Sequence, residues 1–313
     1  MKQYAGVIIT IIAAISWGFS GTCGQYIFDT FDADPTYLTA MRLLSAGVLL
    51  VCLGFVRNRP SMAEIWKSKE SVIRLLIFSI AGIMFCQLTY MKAISYTNSG
   101  TATILQYIGP VLVMIVSCFM ARRLPQKKEV FAIFMALCGT FIIATHGDIH
   151  TMVITPKGLV WGLWSAFALM LYTLLPVKLT EKFGTITTTG YSMLLGGIVL
   201  CLACRIWEAP IIHDSRCLLA FIAIVIFGTV LPFTLYMTGV SLCGPVKASM
   251  LASIEPVSAT VFMVIWLKVP FYLMDFVGFL CIFITVFLLV KKEDNLSGTP
   301  ESNEPVIESP RQE

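Results

Sequence analysis

Glu255 is the side chain whose setting most invites chemistry. It lies about ten residues into an apolar stretch and stands directly before Pro256. An ionised group at that depth in lipid costs at least about 2.5 kcal/mol and marks a functional position by default. Such a carboxyl can bind a substrate amine or carry a proton. It can also pair with Arg42, about two turns into the second apolar stretch, and simply fix the bundle. The prolines raise a related question. Pro110 and Pro256 free the carbonyls four residues earlier, those of Gln106 and Ala252. Each freed carbonyl can take a substrate donor or a neighbouring hydroxyl.

Helical spacing gathers more polar groups around these breaks. Thr103, Gln106, Tyr107 and Pro110 share one face, and Ser249, Ser253, Pro256 and Thr260 share a comparable one. Gln87, Tyr90 and Met91 stand against Pro232, Tyr236 and Met237, so the tyrosines form either two cavity walls or two interfacial anchors. Trp17, Ser20 and Gly21, then Trp164, Ser165 and Tyr172, combine small residues that suit close helix contact with aromatics that pack or stack on a solute. The candidate substrate-binding set is therefore Trp17, Ser20, Gln87, Tyr90, Thr103, Gln106, Tyr107, Trp164, Tyr172, Tyr236, Ser253 and Glu255, with Pro110, Pro232 and Pro256 as kinks.

Other chemistries find little support. His146 and His150 flank Asp148, and His213 precedes Asp214, but all fall in loops and Gly147 interrupts the first pair. No metal or cofactor is expected. Cys201 and Cys204 have C-x-x-C spacing in an apolar helix without His or carboxylate neighbours, which reads as small apolar packing. Intramembrane proteases and acyltransferases need paired catalytic groups. No span carries an interior Asp and none carries a His, so an enzyme is not expected.

The elements that must position these residues are membrane spans. The chain has 313 residues, 57% hydrophobic and 13% charged, with mean hydropathy +0.84. Soluble domains carry roughly 25% charged residues. Ten apolar stretches approach the ~20 residues a bilayer crossing needs, at about 4–25, 36–56, 72–94, 100–121, 128–145, 157–177, 187–205, 217–239, 246–267 and 272–290. They are too long and too continuously apolar for barrel strands, and only helices or closed barrels satisfy the backbone within lipid. The first stretch is read as a retained helix rather than a secretory signal, because it has a partner in the second half.

A shift of 146 positions superposes the halves: Gly82 on Gly228, Tyr90 on Tyr236, Met91 on Met237, Ala102 on Ala248, Leu105 on Leu251 and Pro110 on Pro256. Five spans per copy is an odd number, so the copies cross in opposite senses. The fold class is an all-α polytopic membrane protein, with ten transmembrane helices as two inverted five-helix repeats. Residues 1–147 form the first repeat and 148–292 the second, followed by a polar, proline-bearing tail, 293–313, read as disordered and cytoplasmic. Inverted repeats are a construction principle of secondary transporters. Fifteen Lys and Arg flank spans on the side of the N-terminus, against five on the other (Lys92, Lys157, Arg205, Arg216 and Lys268). That bias puts both termini in the cytoplasm. The net charge of +4 then reflects topology, and no nucleic-acid partner is implied.

These features together resemble the EamA-type permeases of the drug/metabolite transporter superfamily. The resemblance rests on Ser16-Trp17-Gly18, on Pro35 with Arg42-Leu43, on the run from Ala93 through Ser99-Gly100-Thr101-Ala102 to Gly109-Pro110-Val111, and on Gly244-Pro245, Ala248-Ser249 and Ile254-Glu255-Pro256-Val257. It covers nearly the whole chain except the tail. It implies a secondary transporter of small organic metabolites in the plasma membrane, working by alternating access. Its cavity would be lined mainly by the first, third, fourth, sixth, eighth and ninth spans, and its partners would be a small-molecule substrate and the lipid bilayer; Glu255 makes protons a candidate coupling ion, with facilitated diffusion the alternative. Export of amino acids or related amphipathic compounds is the activity expected. Nucleotide-sugar or phosphate-ester carriage is the alternative, and it asks for several basic side chains in the cavity, where only Lys247 and Arg42 qualify. The family usually ends the fourth and ninth spans on a Gly-Glu pair. The matching places here read Arg122-Arg123-Leu124 and Leu267-Lys268-Val269.

Overall fold

The computed structural model describes residues 2–31, 33–97, 99–151, 155–208, 214–266, 268 and 270–290. Asp32, His213, Leu267, Val269, Lys291, Lys292 and the tail 293–313 lie outside the described residues. Every regular element among the described residues is helical. Among the described residues, nine helical stretches are long and apolar enough to cross a membrane: α1 (Tyr4–Phe28), α2 (Pro35–Arg57), α3 (Lys69–Tyr96), α4 (Thr101–Met120), α5 (Lys127–Thr145), α6 (Pro156–Phe183), α7 (Thr185–Ala203), α8 (Ser215–Cys243) and α9 (Pro245–Trp266). A shorter apolar helix, α10 (Leu273–Leu288), makes the tenth. Its whole helix, Leu273–Val290, has 18 residues, about 27 Å at 1.5 Å per residue, just under the roughly 30 Å of hydrocarbon.

Packing carries the duplication from sequence into space. α1 packs on α8 and α9, while α6 packs on α3 and α4, the same relation with the halves exchanged. α2 pairs with α7, and α5 with α10, each helix meeting its own counterpart. This is the pairing two inverted repeats produce about a pseudo-two-fold axis in the membrane plane. Small residues permit the close crossings. A Cβ at Gly139 of α5 would sit 2.8 Å from the carbonyl oxygen of Gly278 in α10, and one at Gly278 would sit 2.9 Å from that of Gly139.

Both repeats interrupt their helices at matching places. α3 widens into π-helical turns over Phe78–Met84, and α8 does so over Ile226–Val230, immediately before Pro232. α4 breaks at Tyr107–Ile108 and resumes at Gly109. α9 breaks at Ala252–Ser253 and resumes at Ile254. Pro110 and Pro256 stand at the starts of the resumed halves, where a missing N–H costs least.

Polar residues at the ends have local reasons. Asp34 caps α2 by accepting from the N–H groups of Thr36 and Tyr37. Asp214 caps α8 by accepting from the N–H of Arg216, and the Arg216 guanidinium beside it holds its carboxyl below the usual carboxylate range. Asp275, fully buried in the first turn of α10, accepts from the Tyr272 N–H at 2.9 Å and meets His146 Nδ1 at 2.7 Å. Asp275 stands at the end of its span and not in the interior, and the histidine at the end of α5 reaches the head of α10 and gives the carboxyl a partner.

The missing family glycine also finds a structural expression. Arg122 adopts φ +50° and Lys268 φ +56°, both left-handed. At α4 the Arg123 N–H returns to the Cys118 carbonyl, closing a Schellman turn with Arg122 at its left-handed position. Arg123 then forms a two-pronged ion pair with Glu129 at 2.8 and 2.9 Å.

Candidate functional site

Where α4 and α9 break, backbone is released and a side chain answers it. Tyr107 Oη donates to the Ala252 carbonyl at 2.7 Å, the oxygen that Pro256 leaves without its usual helical donor. The same carbonyl takes the Glu255 N–H at 2.9 Å. Tyr107 Oη also lies 3.4 Å from Glu255 Oε2. Of the two fates open to that carbonyl, the neighbouring hydroxyl is the one realised. It ties the broken helix of one repeat to that of the other.

Around this tie lies a cavity of about 110 Å³. A water molecule needs roughly 10–15 Å³ by this measure, so the space holds on the order of ten waters. Gln25 and Phe28 of α1, Leu38 of α2 and Ile94 of α3 line it near the helix ends that flank the α1–α2 connection. Ser249, Ala252 and Glu255 of α9 line it further along the bundle.

One wall is aromatic. Trp17 and Tyr236 have ring centroids 5.1 Å apart, Tyr172 stacks on Tyr236 at 5.6 Å, and Phe233 meets Trp17 at 5.2 Å and Tyr172 at 5.3 Å. Polar lining comes from Arg42, Gln87, Tyr90, Gln106 and Tyr107. Gln106 Nε2 donates to Ser165 Oγ at 2.7 Å, which fixes its amide against α6. Tyr236 Oη is 3.1 Å from Thr173 Oγ1.

Of the twelve residues singled out from the sequence, the cavity gathers Trp17, Ser20, Gln87, Tyr90 and Gln106, and with them Tyr107, Tyr172, Tyr236 and Glu255. Three do not line it. Trp164 is 48% exposed on the outer surface, packed edge-on against Phe85 and Phe167. The inward stripe of α6 runs through Ser165, Ala168 and Tyr172, and Trp164 sits one residue, about 100°, off it. Thr103 stands behind the wall and holds Tyr90, with Oγ1 2.9 Å from Tyr90 Oη. Ser253 is fully buried in the break and turns its hydroxyl back on the Met250 carbonyl at 2.7 Å. Pro110 lines the cavity, whereas Pro232 and Pro256 shape the helices behind it.

Sequence reasoning gave Arg42 a lesser part than the structure does. It is 6% exposed, lines the cavity, and its Nε has no hydrogen-bond partner. Among the described residues no ion pair joins it to Glu255. The bundle-fixing pair is therefore not formed, and two opposite charges face one cavity separately. α2 was not expected in the lining, and Leu38 and Arg42 bring it there.

A bundle of inverted repeats around a small polar-aromatic cavity, with helices broken beside it, is the architecture of a secondary transporter. Comparison with known proteins agrees. The sequence matches the EamA-like transporter family twice, over residues 4–145 and 156–291, and the chain belongs to that family. It is 36% identical over 284 residues to YicL of Salmonella typhimurium, described as an uncharacterized inner membrane transporter, covering 91% of this chain and 94% of that one. It is 26% identical to the transporter YetK of Bacillus subtilis, covering 98% and 93%. A solved crystal structure superposes with a TM-score of 0.78 at 17% identity, covering 94% of this chain and 99% of that one, a likeness of fold.

Proposed function

We propose that this chain exports amino acids or related amphipathic metabolites across the plasma membrane by alternating access, with both termini in the cytoplasm. The observation that carries the reading is the cavity itself: its lining combines an aromatic cluster of Trp17, Tyr172, Phe233 and Tyr236 with polar groups that include one carboxyl and one guanidinium. An amphipathic solute with a charged head suits that combination. Space for on the order of ten waters suits a small metabolite. The inner-membrane description of the Salmonella relative and the Lys/Arg bias at the span ends support the location and orientation. In this scheme the repeats rock about the tie between Tyr107 and Ala252, exposing the cavity to each side in turn.

The test is counterflow in liposomes holding purified protein and loaded with an amino-acid panel. The expected result is accumulation of at least one labelled amino acid above protein-free vesicles. Accumulation no greater than in those vesicles for every amino acid ends the assignment.

A further inference from the structure

Ten buried side-chain nitrogen or oxygen atoms have no hydrogen-bond partner among the described residues, and four of them line this one cavity: Trp17 Nε1, Arg42 Nε, Gln87 Nε2 and Tyr172 Oη. Trp and Arg nitrogens only donate, the Gln amide nitrogen only donates, and the Tyr hydroxyl can. Buried polar groups are nearly always satisfied, so a cluster of orphans needs a reason. Here the orphans share one sign. The cavity offers donors in excess and asks for an acceptor.

Arg42 makes the demand acute. A guanidinium stays charged, and a buried charge without a counter-charge is among the costliest arrangements a fold can hold. Arg42 lies against the turn of α3 that carries Cys86, Gln87 and Tyr90, close enough to feel both Cys86 and Tyr90. Gln87, itself 4% exposed, adds its N–H groups at the same turn. Cys86 lies within electrostatic reach of both Glu255 and Arg42, so the two charges line one cavity without pairing.

We propose that Arg42 and Gln87 form a carboxylate-binding subsite, and that the solute is a zwitterionic amino acid whose carboxylate docks there while its ammonium meets Glu255. This rests on the transport reading above and deepens it. A planar, forked donor set matches a carboxylate geometrically, and the arriving anion supplies the partner that Arg42 lacks. The aromatic wall is left for the side chain.

The experiment uses wild-type protein in liposomes and, for whichever amino acid is transported best, compares three unlabelled competitors: the acid, its carboxamide and its decarboxylated amine. The acid is expected to compete at least tenfold better than the other two, the loss of a charge-assisted bond amounting to roughly ten- to a hundredfold. Arg42→Gln is expected to weaken the acid by a similar factor while leaving the carboxamide unchanged, and Arg42→Lys to restore part of the loss. Carboxamide or amine competing as well as the acid on wild-type protein overturns the subsite while transport stands. Equal affinity of Arg42→Gln for the acid does the same. Failure of every amino acid to be transported sinks the transport reading and this inference with it. The wild-type comparison decides alone should Arg42→Gln not yield monodisperse protein.

Discussion

Tyr107→Phe and Tyr172→Phe make the same chemical change at two buried positions and are expected to move stability in opposite directions. Tyr107 is 4% exposed and donates to the carbonyl of Ala252 at 2.7 Å. That carbonyl keeps one other donor, the Glu255 N–H, so removing the hydroxyl forfeits one ordinary bond, about 1 kcal/mol. The 3.4 Å contact with Glu255 is too long to add much. Tyr172 is 1% exposed and its hydroxyl has no partner. Replacing it removes an unsatisfied buried group that costs about 1–3 kcal/mol. The two variants are therefore expected to differ by about 2 kcal/mol or more. With roughly 2–4 °C of Tm per kcal/mol for larger domains, Tyr107→Phe melts a few degrees below wild type and Tyr172→Phe at or above it. Thermal unfolding in detergent, read by a thiol-reactive dye on buried Cys23, Cys86, Cys118 and Cys201, measures both. Equal shifts for the pair, or a larger loss at Tyr172, would refute the claim that the tyrosine tie holds the broken helices together.

Three further outcomes are expected. Arg122→Gly relieves a left-handed side chain at the end of α4; the conformation costs roughly 1–2 kcal/mol and glycine's own entropy returns part of that, so a rise in Tm of one or two degrees is expected and a fall contradicts the Schellman assignment. Gly278→Val drives a side chain into the Gly139 carbonyl and is expected to cost about 1–3 kcal/mol by overpacking, visible as lower Tm and lower yield of folded protein; an unchanged melt contradicts the α5–α10 crossing. Glu255→Gln removes the carboxylate proposed to meet the substrate ammonium. Wild-type transport is expected to weaken as protonation removes that charge on lowering pH, and the variant to be weak and flat with pH; an unchanged pH profile removes Glu255 from the site.

Much of this architecture was legible in the residues because it repeats. The shift that sets Tyr90 on Tyr236 and Pro110 on Pro256 also sets one π-helical stretch and one helix break on their counterparts. Of the face drawn through Thr103, Gln106, Tyr107 and Pro110, the last three line the cavity while Thr103 turns to Tyr90. It went astray where the helix did not stay regular. Ser249, Ser253 and Pro256 share a face of an ideal helix, but the break at Ala252–Ser253 turns the cavity face to Ser249, Ala252 and Glu255. Trp164 misled for a simpler reason: an aromatic beside a small residue signals close packing without telling which side of the helix meets lipid. The freedom of Arg42 was not legible, since whether two charges 213 positions apart meet depends on how α2 and α9 are held, not on either span alone.

The central claim is that two opposed repeats rock around a central cavity. Spin labels at Tyr96 and Arg216 report the side of the α1–α2 connection, and labels at Arg122 and Ser241 report the opposite side, one site of each pair in each repeat, with the ten native cysteines replaced. Double electron–electron resonance in liposomes, with and without a transported amino acid, is expected to show one distance shortening as the other lengthens. Both distances unchanged, or both moving in the same sense, would contradict alternating access through this cavity.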